Sequence, residues 1–179
     1  MWGGASTKEG GAVIIPYATI QSTLFVGLLK EHRVLRGRVV LNVPRGFLSG
    51  ASALQTANRE QDEEVGFLDA TPRIHQLPGN PANPNSAFFE TRVGEGVRFF
   101  AFMLRENELE ETREETIEGA EDKVFQIKRN LVAPLTVEEN GSILGLLFYR
   151  WTVAAKIGDM FSNAAVARLL ACLETEGCR

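Results

Sequence analysis

The stretch Arg59-Glu60-Gln61-Asp62-Glu63-Glu64-Val65-Gly66-Phe67 decides how this chain is read. Residues four apart on a helix are neighbours, so Glu60 and Glu64 point the same way and Glu63 sits beside them. Like charges at that spacing repel, by about 0.2–0.5 kcal/mol per exposed pair. A hard divalent cation turns that repulsion into coordination, because Mg²⁺ takes one or two carboxylates together with waters and substrate phosphates. Arg59 stands four before Glu63 and can pair with it, which orients the cluster. Gly66 suits the left-handed residue that ends a helix. A solvated acidic helix face is the ordinary meaning of a bare ExxEE, so the flanking residues have to decide.

Upstream lie Pro44-Arg45-Gly46-Phe47, Gly50-Ala51-Ser52 and Ala57. With the run 59–67 they resemble the Nudix box, a pattern of G, five residues, E, seven residues and REUxEExGU, where U is apolar. The Pro-Arg-Gly-Phe lead-in is similar to the branch that includes ADP-ribose pyrophosphatases. Arg59, Glu60, Glu63, Glu64, Gly66 and Phe67 fit in register. Four features depart from the pattern. Ala51 stands where the first Glu belongs, and Gln61 replaces an apolar residue. The stretch from Gly46 to Ala51 is one residue short, and Asn42 falls where this branch often has Glu.

The resemblance implies an α/β (α+β) fold, a Nudix-type α/β/α sandwich with a mixed β-sheet, as one domain over 1–179. It implies hydrolysis of a nucleoside diphosphate linked to another group, with Mg²⁺ or Mn²⁺, and ADP-ribose as a candidate substrate giving AMP and ribose 5-phosphate. By the same resemblance Glu60 and Glu64 are metal ligands, and Glu63 is a further ligand or a proton acceptor. The backbone carbonyl at Gly46 or Arg45 is an added ligand, and Arg59 orients carboxylates. A general base from outside the box points to the acidic segment, with Glu111, Glu114, Glu115 and Glu118 as candidates and Glu90 as another. We take Glu115 for that role, against the alternative that the segment is a solvated loop. Arg33, in Glu31-His32-Arg33, Arg45 and Asn85, in the Asn/Pro-rich stretch 80–89, are the expected substrate contacts. A Pro/Asn turn over buried phenylalanines is the structural alternative for that stretch. The resemblance also implies a homodimer, in which the Gly-rich N-terminal segment and the apolar strand at 12–18 exchange or pair across a two-fold axis. The departures at Ala51 and Asn42 keep a second class open, a catalytically weak domain that binds a nucleotide as a sensor or partner module.

Composition is compatible with this reading. A length of 179 residues suits one domain with a substantial core, and 44% hydrophobic with 23% charged residues is ordinary for a globular protein. The net charge of −4 argues against nonspecific binding of a nucleic-acid polymer, which calls for a basic stripe. It does not oppose a small anionic substrate, since a metal supplies local positive charge. The spacing of Cys172 and Cys178 fits no metal motif, so reduced thiols are expected. His32 and His75 are not expected as ligands, because carboxylate-rich Mg²⁺ sites need no imidazole. The apolar runs are too short to span a membrane, and no basic region precedes a long apolar stretch at the N-terminus. A cytoplasmic location is therefore expected.

Along the chain, residues 1–11 are Gly-rich and expected to be loose. Strands are expected at 12–18, 22–30, 39–43, 98–104 and 123–127, where β-branched and aromatic residues concentrate. A helix over 52–64 is capped by Ser52, with Ala53, Ala57 and Gln61 on its inner face, Leu54 beside them and the acidic stripe elsewhere. Residues 45–50, 71–86 and 105–122 read as loops. Thr136 and Glu139 form a capping-box pattern, 146–153 is open between helix and strand, and Ser162 caps a last helix with Ala165, Val166, Leu169, Leu170 and Leu173 inside.

Overall fold

The computed structural model describes residues 10–33, 37–48, 51–68, 73–79, 96–112, 123–133 and 143–175. The expected capping pattern at Thr136 and Glu139 lies outside them.

The fold starts from strand alternation. β1 (Gly10–Ile20) is buried along almost its whole length, and its side chains divide by period two. Val13, Ile15 and Tyr17 enter one apolar cluster, while Ala12, Ile14, Ala18 and Ile20 enter another. A strand buried on both faces belongs at the centre of a covered sheet. It pairs antiparallel with β2 (Thr23–Arg33) and parallel with β6 (Gly96–Met103). Gln21 and Ser22 link β1 to β2 in a tight turn with positive φ at both positions (46° and 66°), as a type I′ hairpin requires.

Among the described residues the sheet has nine strands in the order β5-β6-β1-β2-β9-β8-β7. Its remaining members are β3 (Arg38–Asn42), β4 (Arg45–Phe47), β5 (Ile74–Gln76), β7 (Leu109–Thr112), β8 (Val124–Ile127) and β9 (Ile143–Arg150). Off the main path, β3 pairs with β2 and β4 with β1. The β1–β6 pair is parallel and the other pairings are antiparallel, so the sheet is mixed.

Helices cover both faces. α1 (Ala53–Glu60) brings Ala57 to the cluster that holds Ile14, Phe100 and Phe148. α2 (Trp151–Ile157) and α3 (Met160–Glu174) cover the opposite face, where Ala165, Val166 and Leu169 meet Val13, Ile15 and Phe99. The expected α/β/α sandwich with a mixed sheet is therefore the observed fold. No helix among the described residues is long and apolar enough to cross a membrane.

Several sequence expectations need correction. Gly10 and Gly11 belong to β1 rather than to a loose terminus, because they pair with Gly96 and Val97. The segments read as loops each contain a short strand, β4 at 45–47, β5 at 74–76 and β7 at 109–112. Cross-strand hydrogen bonding overrides local polarity there: Glu110 and Glu111 pair with Gln126 and Phe125 across the β7–β8 ladder. The ambiguous stretch 146–153 divides, strand to Arg150 and helix from Trp151. α3 starts earlier than Ser162, because Asp159 is its cap and accepts the Ser162 N–H at 2.9 Å. Cys172 is disulfide-bonded rather than reduced.

Candidate functional site

α1 begins with a full capping box. Ser52 accepts the Gln55 N–H, and the Gln55 side chain accepts the Ser52 N–H. Buried positions on the helix run Ala53 (partly), Thr56, Ala57 and Glu60, the i, i+3, i+4, i+7 stripe of an inner face. Glu60 thus lies on the buried stripe, only 6% exposed, and not on a separate acidic face. Leu54 turns outward instead.

After Glu60 the helix does not continue as expected. Residues Gln61–Val65 form a π-helical turn, closed by Gly66 N–H donating to the Gln61 carbonyl at 2.9 Å. Gly66 takes the left-handed conformation, φ 65° and ψ 27°, as expected for the stop. Single π turns inside α-helices are frequent at functional sites, where the widened turn re-aims side chains. This one carries Asp62, Glu63 and Glu64.

Two strands of contact tie the helix to the loop before it. At Gly46, a Cβ would stand 1.8 Å from Glu60 Oε1 and 2.2 Å from Glu60 Cδ, so the absent side chain is the space that the Glu60 carboxylate fills. At Arg45, the backbone N–H donates to Glu64 Oε2 at 3.0 Å. Arg59 donates to Glu63 Oε2 from Nη1 at 2.8 Å, the expected i, i+4 pair, and its Nη2 also lies 2.5 Å from Glu60 Oε1. It bridges two carboxylates rather than one.

Burial is the largest influence on the two inward carboxylates, Glu60 and Glu64. Burial raises the Glu60 pKa, Arg59 lowers it, and the Glu63 charge raises it again. Burial pushes Glu64 up to about 8; the charges of Glu60 and Glu31 add to this, and the Arg45 N–H opposes it. Glu31, on β2, accepts from Asn42 Nδ2 at 2.9 Å. Asn42, where the resemblance would place Glu, thus serves a neighbouring carboxylate as donor.

Of the expected site residues, Glu60, Glu63, Glu64, Arg59, Gly46 and Arg45 are brought to one place. The Arg45 side chain turns to Asp159 and lies over the Phe161 ring, 5.1 Å from its centroid. Arg33 ends β2, paired with Arg38. Glu111 is exposed on β7 and pairs with Lys123 at 3.2 Å. Glu115, Asn85, Glu90, Glu114 and Glu118 lie outside the described residues. Asp159 and Ser162 are neighbours of the site that the sequence reading missed. Their spacing signals a helix cap, but no local pattern links Asp159 to a residue 114 positions away.

Among the described residues no three His, Cys, Asp or Glu side chains converge as a ready-made metal cage. Mg²⁺ does not need one, since it keeps several waters and is held by one or two carboxylates plus substrate oxygens. Glu60 and Glu64, both raised in pKa first by burial and then by a neighbouring carboxylate (Glu63 for Glu60, Glu60 for Glu64), fit that donor set.

Comparison with solved structures gives the same fold. The chain is similar to a Nudix hydrolase from Listeria monocytogenes (TM-score 0.57, 16% identity, covering 93% of this chain and 95% of that one). It is similar to the NUDIX domain of Shewanella oneidensis NrtR, complexed with ADP ribose (TM-score 0.55, 14% identity, 94% and 90% covered). An Ap4A hydrolase from C. elegans matches with TM-score 0.52 at 14% identity, with 93% and 98% covered. No protein-family model and no curated protein matches the sequence. The chain has the Nudix fold.

Proposed function

We propose that this Nudix-fold protein is a Mg²⁺- or Mn²⁺-dependent pyrophosphohydrolase that cleaves a nucleoside diphosphate derivative, with ADP-ribose, giving AMP and ribose 5-phosphate, as the first candidate. The observation that carries this is the pair of inward carboxylates Glu60 and Glu64. Both are held against the 45–46 backbone, and burial raises the pKa of both even with Arg59 beside Glu60.

In this reading Glu60 and Glu64 hold the metal, with Glu63 and the Gly46 carbonyl as added donors. A bound divalent ion neutralises pyrophosphate charge and lowers the pKa of a water. Arg59 keeps Glu60 and Glu63 oriented. Glu63, exposed at the rim of the π turn, or Glu115 takes the proton from the attacking water, which must be aligned with the phosphorus. Arg45, which retains guanidinium donors beyond the one given to Asp159, contacts the diphosphate together with Arg33 and Asn85. The ADP ribose bound to the Shewanella domain supports that substrate class. The reading also includes a cytoplasmic location and a homodimer, the latter testable by light scattering.

The test is incubation with Mg²⁺ or Mn²⁺ and a panel of ADP-ribose, nucleotide sugars, dinucleotides and nucleoside triphosphates, with products resolved by chromatography. Metal-dependent release of AMP from ADP-ribose is the expected result. A second reading, a nucleotide-binding sensor module, draws on the Arg59–Glu60 contact, which satisfies a carboxylate without a metal, and on Ala51, exposed where the box has Glu. Tight binding of ADP-ribose without turnover of any panel member would favour it.

A further inference from the structure

The N-terminus of α3 grips the same three-residue segment from which the carboxylate site is built. Asp159 caps α3, accepting the Ser162 N–H at 2.9 Å and the Ser162 hydroxyl at 2.8 Å. The Ser162 Oγ in turn accepts the Val43 N–H at 3.1 Å, inside the core. Asp159 Oδ2 pairs with Arg45 Nη1, and Phe161 lies under the same guanidinium. Both ends of 43–45 are therefore clasped by one helix terminus, more than a hundred residues away in sequence. Between them the Pro44 carbonyl accepts the Ile14 N–H at 2.9 Å, which ties the segment to the central strand. At the far side of this clasp the Arg45 N–H donates to Glu64 Oε2, and Gly46 leaves the space that Glu60 fills.

We propose that Asp159 is a positioning residue for the carboxylate site, holding the Arg45 side chain so that the 45–46 backbone stays in register with Glu64 and Glu60. The assignment rests on the metal-dependent reading of that site. Asp159 touches neither carboxylate; it acts through Arg45. The chain of contacts is continuous and polar. Side chain Asp159 meets side chain Arg45, and backbone Arg45 meets side chain Glu64. A free Arg45 would leave the segment held at Val43 and Pro44 and by the β4–β1 ladder, but without the side-chain tether that sets how the Arg45 N–H meets Glu64. Burial alone would raise the Asp159 carboxyl, but the hydrogen bond from Ser162 N–H and the Arg45 charge outweigh it and keep the group below the usual range. The carboxylate is thus ionised when paired, as the clasp requires.

The experiment separates cap from clasp. Asn caps helices as well as Asp, so Asp159→Asn keeps the bonds to Ser162 while removing the charge that holds Arg45. Asp159→Ser is the second variant; Ser also caps well, and its shorter side chain gives up the Arg45 contact. Mn²⁺ binding to wild type and both variants is measured by electron paramagnetic resonance of free Mn²⁺, with melting temperature and circular dichroism as controls for folding. Groups that orient metal ligands from behind typically contribute about 10–100-fold in affinity. We expect both folded variants to bind Mn²⁺ about 10-fold more weakly, at nearly unchanged melting temperature. Wild-type affinity in either folded variant overturns the positioning role and leaves the metal reading intact. Absence of Mn²⁺ binding to wild type overturns the metal reading and the proposal with it.

Discussion

Gly46 and Glu60 occupy one space: a Cβ on residue 46 would lie 1.8 Å from Glu60 Oε1, far inside any real contact. The clash is with the end of a flexible side chain, not with backbone, and the φ of Gly46 is not among the positive ones. Gly46→Ala should therefore displace the Glu60 carboxylate without unfolding the chain. We expect Mn²⁺ affinity and turnover to fall by about 10-fold or more, with circular dichroism unchanged. Full wild-type Mn²⁺ affinity would show that Glu60 does not ligate from this pocket.

Glu64→Gln removes the charge of the second inward carboxylate while keeping its shape and its acceptor for the Arg45 N–H. Turnover on the best panel substrate should drop by about 100-fold or more, with the melt retained. An unchanged rate refutes the assigned role.

The same residue gives a pH dependence with a definite sign. An unfolded Glu releases its proton near 4.5, whereas Glu64 in the folded chain holds it to about 8. Between those values the folded state binds more protons than the unfolded one, so stability falls as pH rises. The contribution is fully present below 4.5 and gone above about 8. In the presence of a chelator, the melting temperature of Glu64→Gln relative to wild type should climb across this window. A difference that stays flat would mean that Glu64 titrates normally.

Beside the π turn, Arg73 donates to both oxygens of Glu108, at 2.6 and 2.9 Å, and lies over the Phe67 ring, 4.9 Å from its centroid. Both side chains are nearly buried, 7% and 11% exposed. Breaking such a pair from one side leaves a buried charge without its partner, at a cost of about 3–5 kcal/mol. Glu108→Ala should lower the free energy of urea unfolding by roughly 3 kcal/mol. A loss below about 1 kcal/mol would mean that the pair behaves as an exposed one.

Much of the fold was legible in the chain before any coordinates. Continuous apolar runs along β1 and β6 suit strands buried on two faces, because successive side chains of a strand point to opposite sides. The start of α1 at Ser52 and the left-handed stop at Gly66, which closes the π turn, were equally legible, since both residues answer local needs of the backbone. The carboxylates Glu60, Glu63 and Glu64, with Arg59, could be picked out because their spacing along one helix carries the chemistry. What no local pattern held was how that cluster is seated. The π turn at Gln61–Val65, the burial of Glu60 and the strands hidden in polar segments depend on partners distant in sequence. The grip of Asp159 on Arg45 is the clearest case, since it joins a helix cap to a strand 114 residues earlier. Capping, alternation and helical spacing act within a few residues and are therefore written in the sequence, whereas the contacts that fix the site's backbone arise only when separate segments pack together.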